Sequence, residues 1–253
     1  GRYHRPDNIV QTPIAFLTCN FTQPLDRKPA LLTHDDVITL FHEFGHGLHH
    51  LLSLVEEPSV TGISGVPWDA VELPSQFLEN WCWERGALDL VTSHVDTGEP
   101  LPDKLLQKLR GARNFQSGMQ MVRQLEFALF DFRLHASTAQ ISPDALLRVL
   151  DDVRQQVAVV TPPTFDRFPH AFSHIFAGGY AAGYYGYLWS EVLSADAYDR
   201  FEQEGVFNAT AGRAFMQHVL ETGGVEEPLD VFKAFRGREP SIDAFLRHSG
   251  LNS

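Results

Sequence analysis

The stretch Leu40-Phe41-His42-Glu43-Phe44-Gly45-His46-Gly47-Leu48 decides how the fold of this chain is interpreted. Apolar residues recur at three- and four-residue steps from Val37 to Leu52, which is the period of one face of a helix. Thr33 precedes this pattern and is suited to cap it. We therefore predict an amphipathic helix over about residues 34–54.

Two histidines on this helix have the spacing of metal ligands. His42 and His46 are four residues apart, so both imidazoles can reach one tetrahedral ion at Zn–N distances of about 2.0–2.1 Å. Glu43 follows the first histidine directly, where its carboxylate can take a proton from a water at the open coordination position. Gly45 and Gly47 each weaken a helix by about 0.5–1 kcal/mol relative to Ala. Their presence favours a metal site approached by another backbone or a substrate over an ordinary helix.

A catalytic zinc ion needs a third protein ligand, and several side chains nearby could supply it. His49 and His50 lie seven and eight residues beyond His42, which is too far along a helix for one ion to bind both ends. We therefore predict capping or solvent-facing roles for these two histidines. The other candidates are Asp69, Glu72 and Glu79.

The third ligand is expected from a second helix, which a loop rich in Pro and Gly returns antiparallel to the first. Its body is predicted over about 75–90. Glu72, Gln76 and Glu79 recur at four- and three-residue steps and so share one face. We assign Glu72 as the metal ligand and Glu79 as the carboxylate that hydrogen-bonds a ligand from behind. The reverse assignment of the two glutamates stays open.

The rest of the chain predicts a mainly α protein with a small β region near the N-terminus. Residues 13–22 are rich in β-branched and aromatic side chains and predict a strand, which is a candidate edge for pairing with an extended peptide. Further helices are predicted at about 102–116, 117–136, 143–158, 178–203, 209–221, 228–236 and 240–248.

Three runs of sequence together resemble the thimet-oligopeptidase-type zinc metallopeptidases. They are Leu40 to His49, Val71 to Trp81, and Phe172 to Trp189, which contains Gly-Gly-Tyr-Ala-Ala-Gly-Tyr-Tyr-Gly-Tyr. The wording Gly-Ile-Ser-Gly-Val-Pro-Trp-Asp before Glu72 resembles the bacterial members in particular. The resemblance runs along all 253 residues and implies a zincin-like HExxH catalytic domain.

The resemblance also implies roles for individual residues. One zinc ion per chain would be bound by His42, His46 and Glu72, with Glu43 as general base and proton shuttle. The substrate side would be lined by His174, Tyr180, Tyr184 and Tyr187. A tyrosine hydroxyl aimed at the scissile carbonyl would stabilise the charge that develops during attack. Read without the family, the same tyrosines could equally be packing residues with structural hydrogen bonds.

Members of this family are much longer, and an N-terminal helical portion forms the other wall of a channel that admits short peptides. Since that portion is absent and the chain lacks an initiator Met, residues 1–253 are expected to be the C-terminal catalytic part. Within it we expect a strand region at 1–33, zinc-binding helices at 34–90 and a helical substrate-side portion at 91–253. The expected partners are short peptides and the missing N-terminal portion.

Composition narrows the classes of partner and the compartment. The formal net charge of -12 disfavours nucleic acid and anionic membranes. Cys19 and Cys82 form neither a C-x-x-C pair nor a disulfide framework, and neither a signal peptide nor an apolar run of about 18 residues is evident. We therefore expect a cytoplasmic protein.

The function predicted from these features is a zinc-dependent endopeptidase that hydrolyses short peptides. The alternative from another class is a non-catalytic, zinc-stabilised helical domain that binds peptides. A closed site with four ligands would favour that alternative, because structural zinc sites leave no position for water. Metal-dependent hydrolysis of a non-peptide bond is a third possibility, and the family resemblance disfavours it.

Overall fold

The computed structural model describes residues 1–25, 29–138 and 141–251. Residues 26–28, from the predicted strand region, and residues 139–140 and 252–253, from the predicted substrate-side portion, lie outside the described residues. The described part is mainly helical, with one small sheet, as the sequence predicts. Within those ranges, no helix combines the length and the apolar character needed to cross a lipid bilayer.

The sheet consists of two short strands at the N-terminus. Strand β1 (Tyr3–His4) pairs antiparallel with β2 (Val10–Gln11), so that Tyr3 faces Gln11. The predicted strand at 13–22 is wrong, because residues 12–25 adopt no regular secondary structure. A strand needs a neighbouring strand for its backbone groups, and no strand in the described ranges pairs with this segment. Its apolar side chains do not enter a core either, since Phe16 is 90% exposed.

Helix α1 (His34–Leu52) begins and ends within two residues of the prediction. The Thr33 hydroxyl accepts from the backbone N–H of Asp36 at 3.2 Å, and the Asp36 carboxylate accepts from the Thr33 N–H at 2.8 Å. This reciprocal capping box satisfies donors that the first turn of a helix leaves unpaired. It fixes where the metal-ligand pattern begins.

The second predicted helix is divided into three pieces. Helix α2 (Leu73–Glu79) leads into a 3-10 turn (Asn80–Trp83), and α3 (Arg85–Val91) follows. The Asn80 side chain donates to the backbone carbonyl of Phe77 at 3.0 Å, so it competes with the helical hydrogen bonds there. The single helix predicted over 75–90 is therefore wrong in its continuity.

The remaining helices follow the predicted order. They are α4 (Asp103–Ala112), α5 (Ser117–His135), α6 (Pro143–Val157), α7 (Phe168–Ala171), α8 (Ser173–Phe176), α9 (Gly186–Glu204), α10 (Ala209–Phe215), α11 (Pro228–Arg236) and α12 (Asp243–His248). A π-helical turn (Met216–Leu220) continues α10. The helix predicted over 178–203 begins only at Gly186, because Gly179 and Ala182 have positive φ angles of 86° and 56°, which a right-handed helix cannot contain.

Two apolar clusters hold the helices around the candidate site. The larger one joins α2, α9, α10 and α11, and Phe77 of α2 lies in it with its ring stacked on Phe215 at 3.9 Å. The second joins α5, α6 and the segment before α9, and its centre includes the fully buried Phe130 together with Phe172 and Tyr184. Helices α2, α5 and α9 are therefore fixed by packing, and they carry or border the predicted site residues.

Candidate metal centre and substrate groove

Helices α1 and α2 approach each other at a glycine. A Cβ atom placed on Gly45 would lie 2.5 Å from both the Pro74 carbonyl oxygen and the Ser75 Cα, which is closer than non-bonded atoms can come. Gly47 has a neighbour too, since its added Cβ would lie 3.0 Å from a Leu17 methyl group. The close backbone approach that the two glycines predict is present at Gly45, and it brings the face of α2 onto the histidines of α1.

Three side chains from these two helices converge on one point. The Nε2 atoms of His42 and His46 lie 3.2 and 3.0 Å from Oε2 of Glu72, and the three donor atoms all lie within 4.8 Å of one another. Two ligands of a tetrahedral zinc ion at about 2.0–2.1 Å are roughly 3.3 Å apart. The observed donor separations therefore fit a single zinc ion, and two imidazoles with one carboxylate are a donor set that zinc accepts.

Glu79 contacts the opposite nitrogen of one histidine. Its Oε1 lies 2.6 Å from Nδ1 of His42, so Nε2 of the same ring is directed at Glu72. A carboxylate behind a ligating imidazole fixes the ring orientation and the tautomer. The structure thus places Glu72 at the donor cluster and Glu79 behind it, in the arrangement that we assigned from the spacing of the two residues.

The electrostatics of the cluster hold Glu72 ionised. Its side chain is buried, and burial alone would raise its pKa. Hydrogen bonds with His42, His46 and Tyr180 outweigh this and hold the pKa of Glu72 well below its usual range. Burial would likewise lower the pKa of His42, but hydrogen bonds to Glu72 and Glu79 raise it to about 10. Without a metal ion, His42 is therefore a cation between two carboxylates.

The two histidines at the end of α1 differ from the prediction. His49 is 3% exposed, and burial, together with the charges of His46 and His50, lowers its pKa to about 4. The predicted capping or solvent-facing role is therefore wrong for His49, which the helix turns inward with Gly45. His50 is partly buried, and its ring hydrogen-bonds the backbone of Ile14.

Asp69, considered as a third ligand, lies outside the donor cluster. Its Oδ2 accepts a hydrogen bond from the Tyr185 hydroxyl at 2.8 Å, and its backbone carbonyl accepts from the Ser190 hydroxyl at 2.9 Å. A Cβ added to Gly186 would lie 2.9 Å from the Asp69 Cα. These contacts make Asp69 a link between the loop before α2 and the start of α9.

A groove with a volume of about 470 Å³ opens beside the cluster. Glu43, His46, Glu72 and Tyr180 lie along it, so the predicted general base shares the groove with two of the predicted ligands. The groove is otherwise lined mainly by apolar side chains and by the N-terminal segment: Ile14, Ala15, Phe16, Leu17, Gly47, His50, Ile63, Trp68 and Val71. Its chemistry suits an extended chain with apolar side chains.

Tyr180 and Tyr187 lie next to the metal-binding residues. The Tyr180 hydroxyl donates to Oε1 of Glu72 at 2.6 Å, and the two tyrosine rings stack with centroids 4.8 Å apart. Burial and the neighbouring Glu72 carboxylate hold the pKa of Tyr180 well above its usual range, and burial also raises the pKa of Tyr187. Both hydroxyls therefore stay protonated and can donate hydrogen bonds.

His174 and Tyr184 lie farther from the cluster. His174 is exposed, and its ring centroid lies 6.2 Å from that of Tyr187 and 6.5 Å from that of Tyr180. Tyr184 is 8% exposed, and its hydroxyl donates to Oε1 of Gln124 at 3.1 Å. Burial raises the pKa of Tyr184 to about 12. Its observed contacts are those of a packing residue, so its substrate-binding role stays a prediction.

Three contacts around the tyrosines were missed by reading the sequence. Gln76 donates to the backbone carbonyl of Tyr187 at 3.1 Å, Tyr185 binds Asp69, and Asp131 accepts two backbone N–H groups from the segment before α9. One signal was available, because Asp131 interrupts an otherwise apolar face of α5 and buried carboxylates need partners. The identity of those partners, more than 50 positions away, leaves no local trace.

Comparison with known proteins agrees with this geometry. The profile of peptidase family M3 matches residues 1–251. Oligopeptidase A of Salmonella typhimurium is 60% identical over 251 residues, which cover 99% of this chain and 37% of the relative. Saccharolysin of Saccharomyces cerevisiae is 38% identical over 98% of the chain and 35% of the relative, and dipeptidyl carboxypeptidase of Escherichia coli is 37% identical over 100% and 37%.

The chain thus spans little more than a third of the length of these relatives. The family match, in contrast, covers almost every residue, including both helices of the donor cluster and the tyrosine-rich segment. The resemblance inferred from the three sequence runs is therefore confirmed, and the chain belongs to peptidase family M3.

Proposed function

We propose that this chain carries the zinc-dependent catalytic centre of an endopeptidase that hydrolyses short peptides. The observation that carries the proposal is the donor cluster of His42, His46 and Glu72, with Glu43 in the adjoining groove. A zinc ion bound by these three residues would supply Lewis-acid chemistry, polarising the scissile carbonyl and making water acidic near neutral pH. A donor set of three leaves a coordination position free, which favours catalysis over a structural role.

The side chains around the cluster divide the remaining work. Glu43 takes the proton of the attacking water and returns it to the leaving nitrogen. Glu79 orients His42 through its Nδ1 atom. Tyr180 and Tyr187 donate hydrogen bonds to the oxygen on which negative charge develops, and His174 lines the substrate side. Since the Tyr180 hydroxyl donates to Glu72 here, a substrate carbonyl oxygen would compete with Glu72 for the same proton.

An extended peptide fits the groove beside the cluster. The segment from Ile14 to Leu17 forms one side of the groove without belonging to a sheet, so its backbone can pair with a substrate strand. Ile14, Phe16 and Trp68 are 68%, 90% and 50% exposed, and burying such side chains favours binding. This supports the substrate class, and Tyr184 would add to the same surface.

The remaining features of the proposal concern the whole protein. Relatives nearly three times as long support residues 1–253 as the C-terminal catalytic part of a longer oligopeptidase, with the divisions at 1–33, 34–90 and 91–253. The N-terminal portion would then be the partner that closes the channel. A zincin-like arrangement of α1 and α2 and a cytoplasmic location belong to the same proposal. A non-catalytic peptide-binding domain is less well supported, because the donor cluster of the described residues has three members.

The decisive experiment replaces the proposed base in the full-length protein. Glu43→Gln keeps the size of the side chain and removes its basicity, so zinc content should be unchanged while kcat on a quenched peptide falls about 10²- to 10⁴-fold. Glu57→Gln, an exposed glutamate outside the groove, should behave like the parent protein. Retained turnover in Glu43→Gln would remove the base assignment, and turnover that survives a chelator would remove the metal dependence.

A further inference from the structure

The segment between α8 and α9, residues 177–185, is called the tyrosine loop below. It carries Tyr180 near its start and leads into Tyr187, so its path determines where both hydroxyls lie. The loop includes Gly178, Gly179 and Gly183, which restrict the backbone little. Turns such as that from the Gly183 N–H to the Tyr180 carbonyl oxygen, 2.8 Å long, are its internal hydrogen bonds. Internal contacts of this kind fix the shape of a loop less than its position.

A buried carboxylate on α5 anchors the centre of this loop. Asp131 is 0% exposed. Its Oδ1 accepts from the backbone N–H of Ala182 and its Oδ2 accepts from the backbone N–H of Tyr184, both at 2.9 Å. His135, one turn later on α5, contributes a contact of 2.7 Å between Nδ1 and Oδ1. Hydrogen bonds to an ionised acceptor are stronger than neutral ones, so the carboxylate holds two neighbouring positions of the loop at once.

The anchored position has an unusual backbone conformation. Ala182 has a φ of 56°, in the left-handed region where residues other than Gly are uncommon. Its side chain is exposed, so packing of that side chain does not explain the conformation. The hydrogen bond from its N–H to Asp131 does, because it stabilises this corner of the loop against extended alternatives. Conformations of this kind persist where the surroundings determine them.

The same helix also holds the side chain that follows the corner. The Tyr184 hydroxyl donates to Gln124, which lies seven residues before Asp131 on α5, and the Tyr184 ring packs in the cluster around Phe130. Helix α5 therefore fixes the loop midway between Tyr180 and Tyr187. Displacing the corner would move both hydroxyls relative to Glu72, and misplacement by about 1 Å can cost a catalysed reaction roughly 100-fold.

We propose that Asp131 is a positioning residue for the peptidase reaction, holding the tyrosine loop by two backbone hydrogen bonds so that Tyr180 and Tyr187 meet the substrate. This inference rests on the proposed function. Asp131 lies outside the donor cluster and outside the groove, so it acts through the loop and not by touching the substrate. A purely structural role would lower the stability of the protein and leave kcat of the folded molecules unchanged.

The test uses the zinc-loaded full-length protein and the variant Asp131→Asn. The amide keeps one acceptor oxygen but presents N–H groups to the second backbone N–H, so one of the two hydrogen bonds is lost. We expect kcat to fall about 10- to 100-fold, KM to change less than about threefold, and bound zinc to stay equal to the parent. Hydrogen–deuterium exchange should accelerate in peptides covering the tyrosine loop and stay unchanged in those covering α1.

Two control variants separate positioning from stability. His135→Ala removes a neighbour of the same carboxylate but leaves both backbone hydrogen bonds, so kcat should stay within about twofold of the parent. Asp196→Asn alters an equally buried carboxylate that binds Arg236, Arg238 and the Ser241 N–H far from the loop. It should lower the thermal midpoint without changing kcat below that midpoint.

A second pair of variants covers the case in which Asp131→Asn does not fold. Because the Ala182 side chain is exposed, Ala182→Val should fold, while its β-branched side chain disfavours the left-handed corner. We expect a drop in kcat of severalfold with Val and retention of kcat with Gly, which tolerates this conformation.

The inference is overturned if Asp131→Asn exchanges faster in the loop yet keeps the parental kcat, or if Ala182→Val and Ala182→Gly have equal kcat. It is also overturned if Asp131→Asn and Asp196→Asn lose activity and stability in parallel, as a structural role requires. A parent protein that cleaves no peptide would overturn the proposed function, and this inference with it. Parental activity with unaffected Asp131 and Ala182 variants would overturn the inference alone.

Discussion

The donor cluster and the tyrosine loop border the same groove, but they are built in opposite ways. His42 and His46 are placed by one turn of α1, and Glu72 is placed by the start of α2, which Gly45 allows to come within backbone contact. The tyrosine loop has no regular structure between Phe176 and Gly186. Its position depends on contacts with residues 50 or more positions away, as at Asp131 and Glu72.

This difference concerns where precision comes from. In the cluster, helical geometry sets the separation of the donors, and two packed helices keep it. In the loop, a small number of hydrogen bonds from separate elements determine the path of a glycine-rich backbone. We therefore expect substitutions in the cluster to abolish a property and substitutions around the loop to grade it.

The largest effect is expected from removing the carboxylate of the cluster. Glu72→Ala takes away one of three proposed ligands and leaves the two imidazoles without an ionised partner. Loss of a residue that merely supports a ligand costs about 10- to 100-fold in metal affinity, so removing a ligand should exceed 100-fold. Zinc per chain after dialysis, measured by mass spectrometry, would report it.

Glu79→Gln is the matched comparison for that variant. It keeps a hydrogen bond to Nδ1 of His42 while removing the charge, so zinc should stay bound with an affinity lowered about 10-fold. Full zinc occupancy in Glu72→Ala would contradict the ligand assignment. Glu79 or Asp69 would then become the candidate for the third position.

An intermediate effect is expected in the loop. Tyr180→Phe removes the hydroxyl that donates to Glu72 and, in the proposed reaction, to the developing oxyanion. Loss of such a donor lowers kcat about 10²- to 10³-fold, with little change in KM. Steady-state kinetics on a quenched peptide would measure both parameters.

Tyr185→Phe is the control from the same loop, since its hydroxyl binds Asp69 and not the cluster. We expect a loss of roughly 1 kcal/mol in the free energy of unfolding and a kcat within about threefold of the parent. Equal kcat values for the two phenylalanine variants would show that Tyr180 has no special role in the reaction.

The smallest effect concerns the contact between α1 and α2. Gly45→Ala forces a methyl group against the Pro74 carbonyl, and overpacking of this kind costs about 1–3 kcal/mol of stability. Because the two helices must separate slightly, zinc affinity should fall as well. Gly111→Ala, in α4 with no atom within 4 Å of its added Cβ, should instead stabilise its helix by about 0.5–1 kcal/mol. Urea denaturation of both variants would contradict this interpretation if they shifted in the same direction.

The sequence predicted most of what helical periodicity encodes. The bounds of α1, the cap at Thr33, and the grouping of His42 and His46 with Glu72 follow from spacing alone. The strand at 13–22 was wrong because β propensity describes side chains and not the availability of a partner strand. The orientation of His49 was also missed, since the distance along the axis excluded it as a ligand but did not determine which face it shares.

The loop could be predicted only in its composition. Its glycines and tyrosines are visible in the sequence, and the resemblance to a peptidase family assigns them to the substrate side. The left-handed corner at Ala182 and its hydrogen bond to Asp131 are not visible, because they depend on how α5 packs against the segment before α9. Long-range contacts of this kind leave no periodic pattern to read.

The position of His42 between Glu72 and Glu79 has a consequence for loading the site. With a pKa of about 10, this imidazole carries a proton at neutral pH when no metal is bound, and the proton occupies the role of a cation between two carboxylates. Metal uptake is then an exchange reaction in which the ion replaces the proton, and the apparent affinity falls as the medium becomes more acidic. The empty site is held in shape by the charge that the metal must displace.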